Sequence, residues 1–278
     1  MSTSDSEDGE TLGMFEEPED FYPPSPKPTT ETYTMLSGVE LSIRLVGHNP
    51  LWGHHLWNAG RVIARHLEQH REPVEGRTVL ELGAGAGLPS LLSGILGAKR
   101  VVVTDYPDPD LIENLKYNIS NMLGEEGRNK SDIREAIKAE GYLWGADPSP
   151  LLQHIEGVAL PDSQKAFDVL ILADLLFNHS EHTKLVSTVQ QTLKRSTEAK
   201  ALVFFTPYRP WLLEKDLAFF DLVRDAGFEV EKILEEKMEK VMFEDDPGDE
   251  EIRRTVFGYV VKWKKEELIS HTKETSHS

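Results

Sequence analysis

The sequence predicts a doubly wound α/β fold: a mostly parallel, seven-stranded sheet with an antiparallel last strand, helices on both faces and a small N-terminal β-hairpin. Three observations carry this reading. Short apolar runs alternate with longer amphipathic ones between Arg77 and Ala226, as a parallel sheet crossed by helices requires. The apolar runs, VLILA at 169–173 above all, are nearly continuous, which fits strands buried on both faces. Glycines at 83, 85 and 87 link one such run directly to a helical segment.

The elements follow in order. Residues 1–30 carry eight acidic side chains, with prolines at 23, 24, 26 and 28. Such a stretch has too little apolar surface to offset its ordering entropy and is expected to be a disordered tail. Residues 31–266 read as one domain. TYTMLSGVELSIRLV at 32–46 alternates around Ser37-Gly38, the pattern of a hairpin. Leu56, Ala59, Val62, Ile63 and Leu67 fall on one face of a helix over 55–70. Strands are then expected at Arg77–Leu82, Arg100–Asp105, Gly141–Gly145, Phe167–Leu176 and Lys200–Thr206. Helices are expected at Leu88–Leu96, Leu111–Leu123, His182–Leu193 and Trp211–Ala226, the last stopped by Gly227. Glu229–Glu236 and Arg254–Lys264 form a closing antiparallel pair, with EDDPGDEE at 244–251 a solvated turn between them. Residues 267–278 are a polar tail.

Composition narrows the function. The 278 residues, 39% hydrophobic, suffice for one large core. There is no cysteine, which excludes disulfides, thiolate metal sites and a cysteine nucleophile. The formal charge of −18 opposes binding to nucleic-acid phosphates and favours a basic partner, although acidity also serves solubility alone. No apolar run is long enough to span a membrane, and the acidic start lacks a signal peptide's basic and apolar regions. A cytoplasmic monomer is the expectation.

The chemistry concentrates in VLELGAGAGLPS at 79–90. Alternating glycines let the chain turn sharply and let a ligand approach the main chain, and the following helix offers free N–H groups. Asp105 ends the next strand, twenty positions beyond Gly85, the spacing at which an acid meets a ribose in dinucleotide folds. The dinucleotide pattern G-x-G-x-x-G fails, since its last position falls on Leu88 or Ser90. That argues against a nucleotide-dependent oxidoreductase. A turn with no ligand is disfavoured because three glycines cost entropy with no packing return. A binding module that keeps the fold without the cofactor stays open.

E-x-G-x-G-x-G from Glu81 to Gly87, followed by TD at 104–105, resembles motif I of the class I, Rossmann-like, seven-strand S-adenosylmethionine-dependent methyltransferases, over roughly residues 32–265. Within that class the chain is similar to the protein-lysine group. It resembles in particular the fungal subgroup once labelled nicotinamide N-methyltransferase-like, through FxEPEDFYPP at 15–24, LVGHNPLWGHHLWNAG at 45–60, LELGAGAGLPS, VVTDYPD at 102–108 and LADLLFNHSEH at 172–182. The resemblance implies S-adenosyl-L-methionine as cofactor, held by Trp57, Glu81, Gly83, Ala84, Gly85, Asp105, Trp144 and Ala173, with Trp52 the rival of Trp57. It implies that Asp174 faces the acceptor amine and Phe177 walls its channel, phenylalanine standing where the family also has tyrosine. It also implies a protein acceptor: the N-terminal glycine and adjacent lysine of translation elongation factor 1-alpha. The alternative is a small-molecule, nicotinamide-type N-methyltransferase.

No metal is expected. His66 and His70 share a helix face but lack the acid of H-E-x-x-H and read as solvated. His179 and His182 either line the substrate entrance or start a helix.

Overall fold

A computed structural model describes residues 27–122, 130–158 and 165–269. The acidic N-terminal segment, including 15–24, and most of the C-terminal tail lie outside them. The chain opens with an antiparallel hairpin, β1 (Thr29–Thr34) and β2 (Glu40–Leu45). Then come α1 (Asn58–Gln69), β3 (Thr78–Leu82), α2 (Leu88–Ile95), β4 (Arg100–Asp105), α3 (Pro109–Asn121), α4 (Lys130–Ala136), β5 (Ile137–Gly141) and α5 (Ser149–Gln153). The second half has β6 (Val169–Ala173), α6 (His182–Thr192), β7 (Lys200–Phe205), α7 (Leu213–Asp225), β8 (Phe228–Lys237), α8 (Glu250–Arg253) and β9 (Thr255–Trp263).

The seven-stranded sheet has the order β5-β4-β3-β6-β7-β9-β8. Pairing is parallel through β7, and β9 inserts antiparallel between β7 and β8. Successive side chains of a strand face opposite sides, so each strand feeds two cores. In β6, Val169 and Ile171 join the core under α1, α2 and the hairpin, whereas Leu170 and Leu172 join the core under α5, α6 and α7. Each fully buried leucine, such as Leu67 or Leu80, contributes about 1.5–3 kcal/mol. The chain leaves β3 in one direction and returns to β6 on the other side. The crevice between their carboxyl ends is therefore the topological switch point, where open α/β sheets bind ligands.

Three expectations change. The third strand of the main sheet is Ile137–Gly141, not Gly141–Gly145. As an edge strand it needs only one deeply buried residue, Ile137, so a polar run suffices. The aromatic GYLWG run instead forms the loop beyond the strand's carboxyl end, anchored by the Tyr142 hydroxyl on the Ala146 carbonyl at 2.8 Å. The central strand stops at Ala173, because Asp174 turns left-handed with φ 55°. The acidic 244–251 stretch is not simply a solvated turn. Its last residues enter α8, where Asp249 caps the N–H groups of Glu251 and Ile252.

Candidate active site

The glycine turn after β3 is left-handed at Gly83 (φ 58°) and Gly85 (φ 55°). A Cβ on Gly83 would lie 2.6 Å from Leu175 Cδ2 and 3.2 Å from the Trp144 ring, whereas one on Gly85 would meet nothing within 4 Å. The first glycine is therefore required for packing, and the second faces open space. That space is a cavity of about 430 Å³ at the switch point, within the size range of small-molecule sites.

The ten residues that the resemblance assigns to the cofactor and the acceptor amine line this cavity: Trp57, Glu81, Gly83, Ala84, Gly85, Asp105, Trp144, Ala173, Asp174 and Phe177. Trp52 lines it too, and the two tryptophans form one unit, the Trp57 indole N–H donating to the Trp52 carbonyl at 3.1 Å. Asp105 accepts the Gly85 N–H at 2.6 Å through Oδ2 and the Tyr106 N–H at 2.7 Å through Oδ1. It thereby holds the glycine turn while facing the cavity. Burial pushes its pKa upward. Glu81 is buried and accepts both the N–H and the hydroxyl of Ser90 in the first turn of α2. Burial raises its pKa to about 8.

Asp174 joins three elements. Its Oδ2 accepts the Ala59 N–H at 2.9 Å and the Tyr208 hydroxyl at 3.3 Å, and its Oδ1 accepts the Thr206 N–H at 2.6 Å. The same phenol accepts the Asn58 N–H at 3.3 Å. No side chain of its own caps α1, so Asp174 and Tyr208 satisfy N–H groups that the helix start leaves free. Burial lifts the Asp174 pKa to about 7.

A second cavity, of about 260 Å³, shares Trp52, Trp57, Asp174 and Phe177 with the first. Its other walls include Phe205, Thr206, Tyr208, Asp216 and Phe243. The Phe243 ring lies 5.9 Å from those of Trp57 and Tyr208 and 5.3 Å from that of His55. Tyr208 and Phe243 escaped the sequence reading. A signal for the first was present, TPY directly after the buried KALVFF strand. Phe243 had only its aromatic character in an acidic run.

The histidines divide. His179 bonds Asp216 at 2.6 Å, and the buried His182 bonds the Leu176 carbonyl at 2.8 Å. Both brace the substrate side without lining either cavity. His66 is not a solvated residue: it is half-buried, its ring centroid 5.6 Å from that of Phe204, because α1 packs against β7 there. Among the described residues no group of three or more His, Cys, Asp or Glu side chains is arranged to hold a metal, and no helix is long and apolar enough to cross a membrane.

Residues 36–226 match the lysine methyltransferase family. The chain belongs to that family. The methyltransferase is 56% identical over 261 residues to a protein N-terminal and lysine N-methyltransferase of Neurospora crassa, covering 92% of this chain and 89% of the relative. It is 44% identical over 256 residues to the protein of the same name in Schizosaccharomyces pombe, covering 91% and 95%. A solved structure from Streptococcus mutans shares the fold, with a TM-score of 0.51 at 10% identity over 85% of this chain and 56% of that one. The chain is thus an S-adenosylmethionine-dependent protein N-methyltransferase. The cavity fits that cofactor: Gly85 leaves the main chain open to a ligand, Asp105 presents a carboxylate for hydroxyl groups, and Trp144 supplies an aromatic face.

Proposed function

We propose that this methyltransferase modifies the N-terminal amine, and the lysine beside it, of a protein acceptor, translation elongation factor 1-alpha. The observation that carries the reading is the second cavity, which meets the cofactor cavity at Trp57, Asp174 and Phe177. The relatives named above act on both kinds of amine by their names, and a net charge of −18 suits a basic acceptor.

S-adenosylmethionine, when bound, supplies a methyl group on a sulfonium, so that one N–C bond forms as one S–C bond breaks. The protein's own part is to present a neutral amine in line and dry. The aromatic rings of Trp57, Tyr208 and Phe243 exclude water from the approach. Asp174 Oδ1 receives one N–H donor, from Thr206, and a carboxylate oxygen has room for a second. That free position takes an amine hydrogen and steers the nitrogen lone pair towards the cofactor cavity. With its pKa lifted to about 7, Asp174 is close to the ~7.7–8.0 of an N-terminal ammonium, so the proton passes between them with little driving force lost. A lysine near ~10.4 gives up its proton less readily, which makes the α-amine the faster acceptor.

The test is incubation of the purified protein with radiolabelled S-adenosylmethionine and either elongation factor 1-alpha or nicotinamide. Label on the N-terminal peptide of the factor, located by mass spectrometry, supports the reading. Label on nicotinamide alone assigns the small-molecule activity instead.

A further inference from the structure

The second cavity is walled on its outer side by the segment between β8 and α8, and that segment is fastened from within. Arg253, 3% exposed, donates from Nη1 to the Phe243 carbonyl at 2.7 Å. A buried guanidinium is costly unless it is hydrogen-bonded, and the bond it makes here fixes the backbone at the residue whose ring packs on Trp57 and Tyr208. Three residues on, the exposed Asp246 lines the same cavity. Deeper in, Thr206 is 5% exposed and lines the cavity beside Asp174 and Tyr208. At the mouth, Trp52 and Phe177 are 50% and 44% exposed, a large apolar surface of the kind that marks a binding site. The cavity therefore combines aromatic faces, the Asp174 carboxylate at its inner end and the Asp246 carboxylate at its rim.

We propose that Phe243 and Asp246 form a specificity wall for a peptide with two positive charges. The reacting amine enters beside Asp174 and Thr206, and the cationic side chain of the neighbouring residue is held at the rim by Asp246. This rests on the protein-amine reading and adds which residues select the acceptor. Phe243 gives its face to the ammonium or to the methylated product, a favourable contact once water is excluded. Asp246 carries sequence selectivity because it distinguishes a basic second residue from a neutral one. The segment's other acids, Glu239, Glu244, Asp245 and Asp249, are exposed and contribute general attraction, which salt screens.

The test uses the full chain and two synthetic peptides with a free α-amine, one beginning Gly-Lys and the other Gly-Ala. Methylation kinetics and peptide binding in the presence of S-adenosylhomocysteine are both measured. Asp246→Asn is expected to raise KM for the Gly-Lys peptide about three- to fivefold, the size of an exposed ion pair, and to move the Gly-Ala peptide much less. Phe243→Ala is expected to raise KM for both peptides about tenfold. Cofactor affinity, read by calorimetry, stays unchanged in Asp246→Asn because that residue does not line the cofactor cavity. Equal effects of Asp246→Asn on the two peptides, or none on either, would overturn the proposal. If the wild type methylates neither peptide, the amine reading fails by itself. The binding arm then decides the wall: weaker Gly-Lys binding by Asp246→Asn supports it, and unchanged binding removes it.

Discussion

The carboxylate of Asp174 accepts the backbone N–H of Ala59 at 2.9 Å, tying the end of β6 to the first turn of α1 across 115 residues of sequence. Asp174 also receives the Thr206 N–H from the end of β7. One side chain thus fixes the relative position of the cofactor cavity, the acceptor cavity and the helix that carries Trp57 at its start.

Asp174→Asn tests this junction. An amide has one acceptor oxygen where the carboxylate has two, so either the Ala59 or the Thr206 N–H is left facing the amide NH2, another donor. The expected loss is about 1–3 kcal/mol. Asp174→Ala removes both acceptors and places a residue intolerant of left-handed backbone at φ 55°, adding about 1–2 kcal/mol. Urea denaturation is expected to rank wild type above Asn and Asn above Ala. Single-turnover methyl transfer is expected to fall in both. Wild-type stability and rate in the Asn variant would show that the junction positions nothing.

Asp105→Ala acts on the cofactor. The side chain holds the Gly85 N–H and faces the cavity, so its loss frees the glycine turn and removes a hydroxyl acceptor together. A hydrogen bond to a charged group contributes about 1.5–3 kcal/mol, which corresponds to a rise in cofactor Kd of about 10- to 150-fold. Calorimetry with S-adenosylhomocysteine measures it. Unchanged affinity would exclude Asp105 from the cofactor site.

The cofactor half of the site was legible because its chemistry is local. Glu81, the glycines and Asp105 lie at strand ends whose apolar runs are unmistakable, and the fold brings strand ends together by rule. The acceptor half is assembled by long-range packing. Nothing near Phe243 says that its ring meets Trp57, because that contact depends on β8 and β9 closing the sheet edge and on Arg253 holding the loop. The third strand was misplaced for a related reason. Apolar character marks burial, and at the edge of this sheet the loop residues Tyr142 and Trp144 are more apolar than the strand Lys138–Glu140. Asp174 lines both cavities, but its bonds to Ala59 and Tyr208 span 115 and 34 residues and leave no local pattern.

Gly83→Ala and Gly85→Ala are expected to fail differently. Both add a Cβ at a left-handed position, φ 58° and 55°, which costs about 1–2 kcal/mol. At Gly83 the new atom also falls 2.6 Å from Leu175 Cδ2, so the second core has to shift and thermal stability drops further. At Gly85 it enters open cavity. Gly85→Ala is therefore the more stable of the two by thermal denaturation, yet it has the weaker cofactor affinity per unit of stability lost. Equal losses of stability would mean that the wall around Leu175 yields freely.

Glu81 makes stability depend on pH. An unfolded glutamate releases its proton near ~4.3, and burial holds that of Glu81 until about 8. Between those values the folded protein binds the extra proton, so stability falls as pH rises, by up to about 1.4 kcal/mol per pH unit. The contribution is fully present below about 4 and lost as pH passes through about 8. Asp174, lifted to about 7 for the same reason, adds a slope of the same sign. Glu81→Gln keeps an acceptor oxygen for Ser90 but cannot ionise, and it leaves Asp174 intact. Subtracting the variant's denaturation free energy from that of the wild type therefore isolates Glu81. The difference is expected to move in the variant's favour between pH ~5 and ~8. A difference that stays flat across that range would mean that Glu81 ionises as an exposed glutamate does, and that water reaches it from the cofactor cavity it lines.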